Sequence, residues 1–339
     1  MDPKRFKNAP PDEYILVQED RLLGFVTVCF ERAGVSREHA EVISRLLVNA
    51  DLRGVRSHGT RGAAGYALGF QQGHLNPAPR IRVVQETSAA VVIDGDGTAG
   101  YWPMVQGAHR AVERARQTGL GLALVRHIGH YGSAGHYARI CLEAGCVGIS
   151  MQGYRDEPRT RDADPKPSAG YSGDPPLCCA VPGGEEPDLV LDMGASIFGH
   201  YRRAENDDLL ERVPGAFFRS IGLIAVTTFL GGALTGFMGA EADAIQQRWS
   251  SAQQGGMVLA VDLAQFVAPE VFRAEVDRYT RALRAHHAPL PGTDRVVLPG
   301  AVEAERMARY RRDGIPYGEP EQQAARGLSE HFGVPLPWE

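Results

Sequence analysis

The feature that most constrains the fold is a regular alternation of strand-like and helix-like segments in the middle of the chain. The apolar run 89–93 indicates a strand, and residues 102–118 then repeat apolar side chains at helical spacing. A strand over 120–126, a helix over 132–144 and a strand over 146–151 follow. Because strand–helix–strand units join strands that run in the same direction, at least part of the sheet is expected to be parallel and covered by helices.

Helical periodicity also marks both ends of the chain, and further strand-like runs flank the alternating region. Additional helices are predicted over 18–34, 37–53, 60–72, 221–237, 269–287 and 300–313, the last two closing the chain. Additional strands are predicted over 81–84, 177–181, 188–193 and 257–262. Residues 221–237 form the longest apolar stretch, but Gly and Thr interrupt it, so a buried helix fits it better than a membrane span.

The charge balance and the cysteines argue against several classes of function. The formal net charge of the 339 residues is −5 and no basic stripe is present, so a nucleic-acid or anionic-membrane partner has no electrostatic support. The five cysteines are not in metal-ligand spacing, which predicts reduced thiols and no metal site. The N-terminus has no apolar signal core, and a cytoplasmic protein is expected.

Two histidines beside glycines are the candidate acid–base residues. His58 lies in the tripeptide Ser57-His58-Gly59, and His130 lies between Gly129 and Tyr131. Imidazole is the side chain whose ordinary pKa suits proton transfer near neutral pH. His130 directly precedes a predicted helix, so we expect it at the helix N-terminus facing a cleft, where the helix dipole would lower its pKa.

The sequence gives less support for other kinds of functional site. No Gly-x-Gly-x-x-Gly follows a strand and opens a helix, which argues against a Rossmann site. A Ser-His-Asp hydrolase is disfavoured because the adjacent Ser57 and His58 side chains are expected to diverge and no Gly-x-Ser-x-Gly elbow is present. Asp192 ends an apolar strand and is either a cap for the Ser196 region or an orienting partner for a histidine. The long polar segment 153–176 is expected to be a functional loop or partly disordered.

Several motifs together give the chain a family resemblance. The run Asp51-Leu-Arg-Gly-Val-Arg-Ser-His-Gly59 is followed by Gly73-x-Leu-Asn-Pro77, by the His130 motif and by Leu191-Asp-Met-x-x-Ser196. In this order they resemble the malate/L-lactate dehydrogenase family of the non-Rossmann type, which includes ureidoglycolate and sulfolactate dehydrogenases and cyclic imine reductases. The resemblance covers most of the chain apart from 153–176 and 200–213.

The resemblance implies an α/β fold in which helices cover a central mixed sheet. By this likeness, residues 1–76 form an N-terminal helical lobe, 77–265 the central domain that binds the cofactor, and 266–339 a C-terminal helical segment that packs on the N-terminal lobe. It also implies a homodimer whose active site lies near the subunit interface.

The resemblance further implies the reaction. Hydride would pass between NAD or NADP and a small 2-oxo acid, 2-hydroxy acid or cyclic imine, with His130 as proton donor and acceptor. Ser57 and His58 would contact substrate or nicotinamide, and Arg61 and Arg219 are the arginines assigned to the substrate. The implied cofactor-binding residues are Gly132, Gly173, Asp174, Asp192 and Ser196.

The chain departs from the family pattern at positions that should face ligands. The substrate-carboxylate arginine of the family falls on Gly62, and Arg61, one residue early, would point about 100° away on a helix. The cofactor loop has Asp174 in place of threonine, and Arg219 stands where the family has lysine. One hypothesis is a dehydrogenase or reductase with an altered substrate. The alternatives are an enzyme without nicotinamide cofactor, using His58 and His130 for isomerisation, elimination or cyclisation, and a non-enzymatic binding subunit.

Overall fold

The computed structural model describes residues 10–154, 174–197, 203–290 and 294–339. The strands are β1 Ile15–Val17, β2 Arg82–Glu86, β3 Ala90–Asp94, β4 Leu120–Ile128, β5 Cys146–Tyr154, β6 Pro176–Val181, β7 Leu189–Gly194, β8 Gln254–Asp262 and β9 Ile315–Tyr317. The helices are α1 Glu19–Arg32, α2 Arg37–Leu52, α3 Ala63–Gln71, α4 Tyr101–Thr118, α5 Gly135–Glu143, α6 Arg203–Arg212, α7 Pro214–Gly231, α8 Ala240–Arg248, α9 Pro269–His286, α10 Ala301–Asp313 and α11 Glu319–Phe332.

The central sheet is mixed, as predicted. It has seven strands in the order β2-β3-β4-β8-β5-β6-β7. Among the described strands, β3 and β4 are the adjacent pair that runs parallel, with Ile93 opposite Val125. Strand β8 lies between β4 and β5 and is antiparallel to both, so Met257 faces Leu124 on one side and Met151 on the other. The predicted parallel character is therefore confirmed for one pair, and a strand from late in the sequence separates β4 from β5.

Helices cover the sheet on both faces. Helices α4 and α5 pack against one face, where Ala108, Ala111 and Ala115 of α4 are buried. Their small side chains allow a close approach to β4. Helix α7 packs against β5 and β8 on the other face, where Leu223 and Leu230 meet a second apolar cluster. This layered arrangement buries both faces of the central strands, which explains their nearly continuous apolar sequence.

The two chain ends meet each other. Strand β1 pairs antiparallel with β9, with Val17 opposite Ile315. Helix α11 contacts α1 and α3, and α10 contacts α2. Helix α9 instead holds the turn between β6 and β7, because the Asp277 carboxylate accepts the backbone N–H groups of Gly184 and Glu185. The predicted boundaries at 76 and 265 stay a proposal.

Several local predictions need correction. The charged stretch before Val213 is the helix α6, and the short strands β1 and β9 and the helices α8 and α11 were not predicted. Helix α11 follows residue 313, so the helix over 300–313 does not close the chain. Helix α5 begins at Gly135 rather than at 132, because Gly132 has a left-handed backbone with φ +80°.

The prediction of a buried helix over 221–237 is wrong in extent and in burial. The stretch Pro214–Thr235 is long and apolar enough, by length and composition alone, to cross a membrane, and 33% of its apolar window is buried in the fold. One face of α7, which includes Phe217 and Ile224, is buried against the sheet. The opposite face leaves Phe218 78% and Phe229 63% exposed. A helix that is apolar on all sides needs a second packing surface to bury its outer face.

The close packing of α4 on β4 depends on Gly121. A Cβ atom at this position would meet the backbone of α4, namely the carbonyl oxygen of Ala111 and, at 2.7 Å, the amide nitrogen of Ala115. We expect Gly121→Ala to lower the free energy of unfolding by about 1–3 kcal/mol, the usual cost of overpacking, in urea denaturation. The matched control is Gly24→Ala on the exposed side of α1, where a Cβ meets nothing within 4 Å. It should stabilise the protein by roughly 0.5–1 kcal/mol, and equal effects of the two variants would contradict the packing argument.

Candidate active site

The turn that carries the first histidine is built around a buried carboxylate. Asp51, near the end of α2, is 3% exposed and accepts hydrogen bonds from the Thr60 backbone N–H at 2.9 Å and hydroxyl at 2.6 Å. A Cβ atom on Gly59 would collide with the same carboxylate, so only glycine fits there. His58 is consequently the last residue of a short 3-10 turn whose exit, at Gly59 and Thr60, is fixed by Asp51.

The C-terminal part of the chain supports this turn from behind. The Tyr317 hydroxyl of β9 shares a hydrogen bond with the Thr60 hydroxyl, and Glu321 of α11, 1% exposed, forms an ion pair with Arg56. Burial raises the pKa of the Asp51 carboxyl to about 7, and the nearby Glu321 adds to the rise. The Thr60 hydrogen bonds and Arg56 act in the opposite direction.

The second histidine is placed by the sheet. His130 lies in the loop that joins β4 to α5, and its carbonyl oxygen accepts the Gly100 N–H at 3.0 Å. The neighbouring Gly129 donates its N–H to the Thr98 carbonyl at 2.8 Å and accepts the Gln152 side-chain amide at 3.2 Å. The backbone on the N-terminal side of His130 is therefore held from two directions.

The ring of His130 has two donors at the same nitrogen. The Tyr66 hydroxyl of α3 lies 2.5 Å from Nδ1, and the Gly132 backbone N–H donates to Nδ1 at 3.2 Å. Because a backbone N–H can only donate, Nδ1 is the acceptor and the neutral ring carries its proton on Nε2. The Tyr101 hydroxyl donates to the Tyr66 hydroxyl at 3.1 Å, which completes a chain of three side chains.

The sequence did not predict Tyr66. The signal was weak because one tyrosine at a helical position is an ordinary packing residue. It could have been found from its setting, since Gly65 and Gly69 on the same helix and Gly62 just before it surround Tyr66 with small residues.

The two predicted histidines come together. The His58 and His130 rings stack with centroids 5.9 Å apart and planes at 15°. The Ser57 hydroxyl lies 3.0 Å from Nδ1 of His58, so the expectation that these neighbouring side chains diverge is wrong. Their catalytic roles stay predictions.

Burial lowers the pKa of His130 to about 4, and the neighbouring His58 adds to the fall. The direction was predicted, but the structural cause is burial beside a second imidazole, because α5 begins only at Gly135. Tyr66 keeps its proton as well, since burial raises its pKa to about 12. The His130–Tyr66 pair is therefore uncharged at neutral pH.

An open cleft of about 480 Å³ begins at this pair. The described residues that line it are Gly62, Gly65, Tyr66, Gly69, Leu75, His130, Ser250, Ser251, Gln253 and Gln254. They come from α3 and the residues that flank it, from the His130 loop, and from the start of β8 with the residues before it. The cleft thus has an imidazole–phenol pair on one wall and hydroxyl and amide side chains on another.

Two predicted substrate residues lie elsewhere in this chain. The Arg61 guanidinium faces the buried Glu321 at 3.9 Å, and the described lining of the cleft does not include it. Arg219 is exposed on α7 beside Phe218. Their assignment to the substrate stays a prediction.

The predicted cofactor residues that the structure describes lie on several elements: Gly132 precedes α5, Asp192 is in β7, and Asp174 and Ser196 lie beside the ends of β6 and β7. The Asp192 carboxylate of β7 accepts a hydrogen bond from the Ser133 hydroxyl in the His130 loop. Asp174 accepts the Ser196 backbone N–H at 2.8 Å, so Asp174 rather than Asp192 caps the Ser196 region. The fifth predicted residue, Gly173, lies outside the described residues.

Comparisons with known proteins match this chain to members of one family. A family profile described as malate/L-lactate dehydrogenase matches residues 17–214 and 209–324. Malate dehydrogenase of Pyrococcus horikoshii is 36% identical over 194 residues, which is 56% of this chain and 52% of that protein, so this alignment spans about half of the relative. The NAD(+) ureidoglycolate dehydrogenase of Escherichia coli K12 is 25% identical over 314 residues, covering 84% of this chain and 87% of the relative.

The fold agrees with these sequence matches. The structure of malate dehydrogenase from P. horikoshii superposes with a TM-score of 0.81 and 25% identity, over 96% of this chain and 98% of that one. The sulfolactate dehydrogenase structure from Methanocaldococcus jannaschii superposes with a TM-score of 0.74 over 94% and 98% of the two chains, at 20% identity. At 20% identity, the similarity to the sulfolactate dehydrogenase structure shows a shared fold.

The neutral state of His130 predicts a pH dependence of stability. Its pKa is about 4 in the folded chain and 6.5 ordinarily, so between these values the unfolded chain binds a proton that the folded chain does not. The free energy of unfolding of the wild type, minus that of His130→Gln, should therefore rise from about pH 4 to pH 6.5 and then level off. Urea denaturation of both proteins across this pH range measures the difference. The subtraction cancels other titrating groups, Asp51 included, and a difference that is constant with pH would contradict a lowered pKa at His130.

Proposed function

Because this chain belongs to the malate/L-lactate dehydrogenase family, we propose that it is an oxidoreductase that moves a hydride between NAD or NADP and a carbonyl or imine carbon of a small molecule. The observation that carries the proposal is the uncharged His130–Tyr66 pair at the wall of an open cleft. An imidazole whose proton is held on Nε2 is suited to exchange that proton with a substrate oxygen or nitrogen.

The cleft fits the nicotinamide end of such a cofactor. The Oε1 atom of Gln254 is buried and has no hydrogen-bond partner among the described residues. The carboxamide N–H groups of a nicotinamide are donors of the kind that this oxygen lacks, and Ser250 and Gln253 add further polar groups nearby. When bound, the cofactor would supply or accept the hydride.

The remaining predicted cofactor residues suit hydroxyl groups better than phosphates. Asp174 and Asp192 are carboxylates, which accept hydrogen bonds from ribose hydroxyls and repel an additional phosphate. We therefore propose that Gly132, Asp174, Asp192 and Ser196 face the cofactor and that NAD is favoured over NADP.

His130 acts in this proposal as a neutral acid rather than as an imidazolium. In the direction of reduction, Nε2 of His130 gives its proton to the substrate oxygen while the Tyr66 hydroxyl gives a proton to Nδ1. Tyr101 stabilises the oxygen of Tyr66 through its hydrogen bond. After the product leaves, water in the open cleft returns a proton to Nε2 and Nδ1 returns its proton to Tyr66, which restores the starting tautomer. In oxidation the same protons move in reverse. Ser57 and His58 position the ring of His130 through the stacked pair.

This mechanism makes Tyr66→Phe informative. The variant keeps the ring but removes the hydroxyl that replenishes Nδ1, so kcat should fall by on the order of 10²-fold, the scale of general acid–base effects. Binding of NADH, followed by nucleotide fluorescence, should be unchanged, and NADH should bind more tightly than NADPH.

The control is Tyr279→Phe, the same substitution at a tyrosine that is 57% exposed on α9. It should leave kcat and NADH binding as in the wild type. A Tyr66→Phe variant with full kcat would remove the proposed relay. If neither NADH nor NADPH changes fluorescence at millimolar concentration, the dehydrogenase proposal fails and cofactor-free acid–base chemistry by His58 and His130 becomes the better account.

We also propose that the protein is a homodimer joined through α7. The exposed side chains Phe218, Ile221, Val226 and Phe229 recur at helical spacing and form one apolar stripe along the helix. Stripes of this kind mark protein–protein contacts. The inner face of α7 already packs on β5 and β8, which suits a subunit interface better than a membrane.

The dimer proposal is tested by a double substitution. Phe218→Asp with Phe229→Asp should convert a dimer into a monomer in size-exclusion chromatography with light scattering, because charges cannot be buried unpaired in an apolar interface. Tyr279→Asp changes another exposed aromatic side chain, outside α7, and should leave the mass unchanged. An unchanged dimer in the double variant would place the interface elsewhere.

A cytoplasmic location is proposed on the state of the cysteines. All five are free thiols in the structure, and four of them, Cys29, Cys141, Cys146 and Cys178, are buried. Free thiols persist in a reducing compartment.

A further inference from the structure

The cleft beside His130 is uncharged, and this restricts what it can bind. Apart from His130 itself, its described lining consists of glycines, Leu75, Tyr66, two serines and two glutamines. None of these described side chains carries a formal charge at neutral pH. An anionic substrate would therefore enter the cleft without a cation among the residues that the structure describes.

The arginines in and beside the histidine turn have other partners and are not among the described residues that line the cleft. Arg53 donates to the carbonyl oxygen of Asn49 at 3.2 Å. Arg56 is paired with the buried Glu321, and Arg61 lies 3.9 Å from the same carboxylate. Recruiting Arg56 would leave Glu321 without its close partner inside the protein, which is costly.

The absence of a side chain at Gly62 is not imposed by the backbone. Gly62 has φ −81° and ψ −9°, which any residue adopts. A Cβ atom there would lie 3.6 Å from Cε2 of Tyr66, an ordinary van der Waals contact. A larger residue is therefore structurally possible at this point of the cleft, next to the acid–base pair, and the chain leaves the space open.

We propose that the substrate is an uncharged α-oxo compound, an amide or ester rather than a carboxylic acid, which is reduced to the α-hydroxy amide or ester. This inference rests on the proposed dehydrogenase function. A carboxylate placed in a cleft without a cation loses hydration that nothing replaces, whereas a neutral amide exchanges its hydrogen bonds with water for bonds to the serine and glutamine groups that the nicotinamide does not occupy.

The proposed reaction balances with the groups already named. The carbonyl carbon takes a hydride, with two electrons, from NADH or NADPH, and the C=O π bond opens. The oxygen takes a proton from Nε2 of His130, and the products are NAD or NADP and the hydroxy compound. Water returns the proton to the His130–Tyr66 pair.

The test compares molecules that differ only in charge. Pyruvamide and pyruvate are assayed as substrates with NADH, and lactamide and lactate are titrated by calorimetry in the presence of the oxidised cofactor so that binding is measured apart from reduction. The wild type should favour the amide over the acid by about tenfold or more in kcat/KM and in Kd. A preference for the acid in both measurements would overturn the inference.

Variants at Gly62 separate charge from volume. Gly62→Arg should reverse the preference by raising the affinity for lactate and pyruvate about tenfold or more. Gly62→Gln fills similar space without charge and should leave the amide-to-acid ratio as in the wild type. If both variants change the ratio equally, steric effects rather than charge govern it and the inference fails. Should Gly62→Arg not fold, the wild-type ratio alone still decides.

The nucleotide titration keeps this inference separate from the function on which it rests. Failure to bind NADH or NADPH overturns the dehydrogenase proposal. Tight nucleotide binding with preference for the acid leaves the dehydrogenase proposal intact and overturns the uncharged substrate.

Discussion

The buried carboxylate of Asp51 is the contact on which the candidate site depends. It accepts both donors of Thr60 and occupies the space that a side chain on Gly59 would need. Through Thr60 it is linked to Tyr317 at the other end of the chain. The turn that presents His58 is thus held both by local bonds to Asp51 and by contacts with Tyr317 and Glu321, which lie far away in the sequence.

The central sheet positions the second histidine of the candidate site. His130 is held by the backbone of the loop after β4, while Tyr66 reaches its Nδ1 from α3. The N-terminal helices and the sheet thus each contribute one side chain of the His130–Tyr66 pair. This meeting also buries the imidazole, and burial keeps it neutral. The same docking that assembles the pair therefore sets its protonation state, and a neutral ring with two donors at Nδ1 presents its proton on Nε2.

The sequence was most informative where structure is set locally. Helices such as α1 and α4 follow from apolar spacing, and the glycine beside His58 marked a site. The insertion of β8 between β4 and β5 could not be predicted, because strand order depends on long-range pairing that one sequence pattern does not encode. The exposed face of α7 was missed because a helix that is apolar all round looks the same whether another layer or another subunit covers it.

Two glycines three residues apart show why family motifs locate this site better than they specify its chemistry. Gly59 is fixed by contact with Asp51, since any side chain there would displace the carboxylate that holds the turn. Gly62 meets no such constraint, and its backbone accepts any residue. Packing therefore restrains the scaffold positions, while positions on the cleft wall can change without disturbing the fold. In our proposal, the charge that the cleft accepts beside His130 therefore depends on the side chain at position 62, which can change while the central sheet shared with the relatives stays the same.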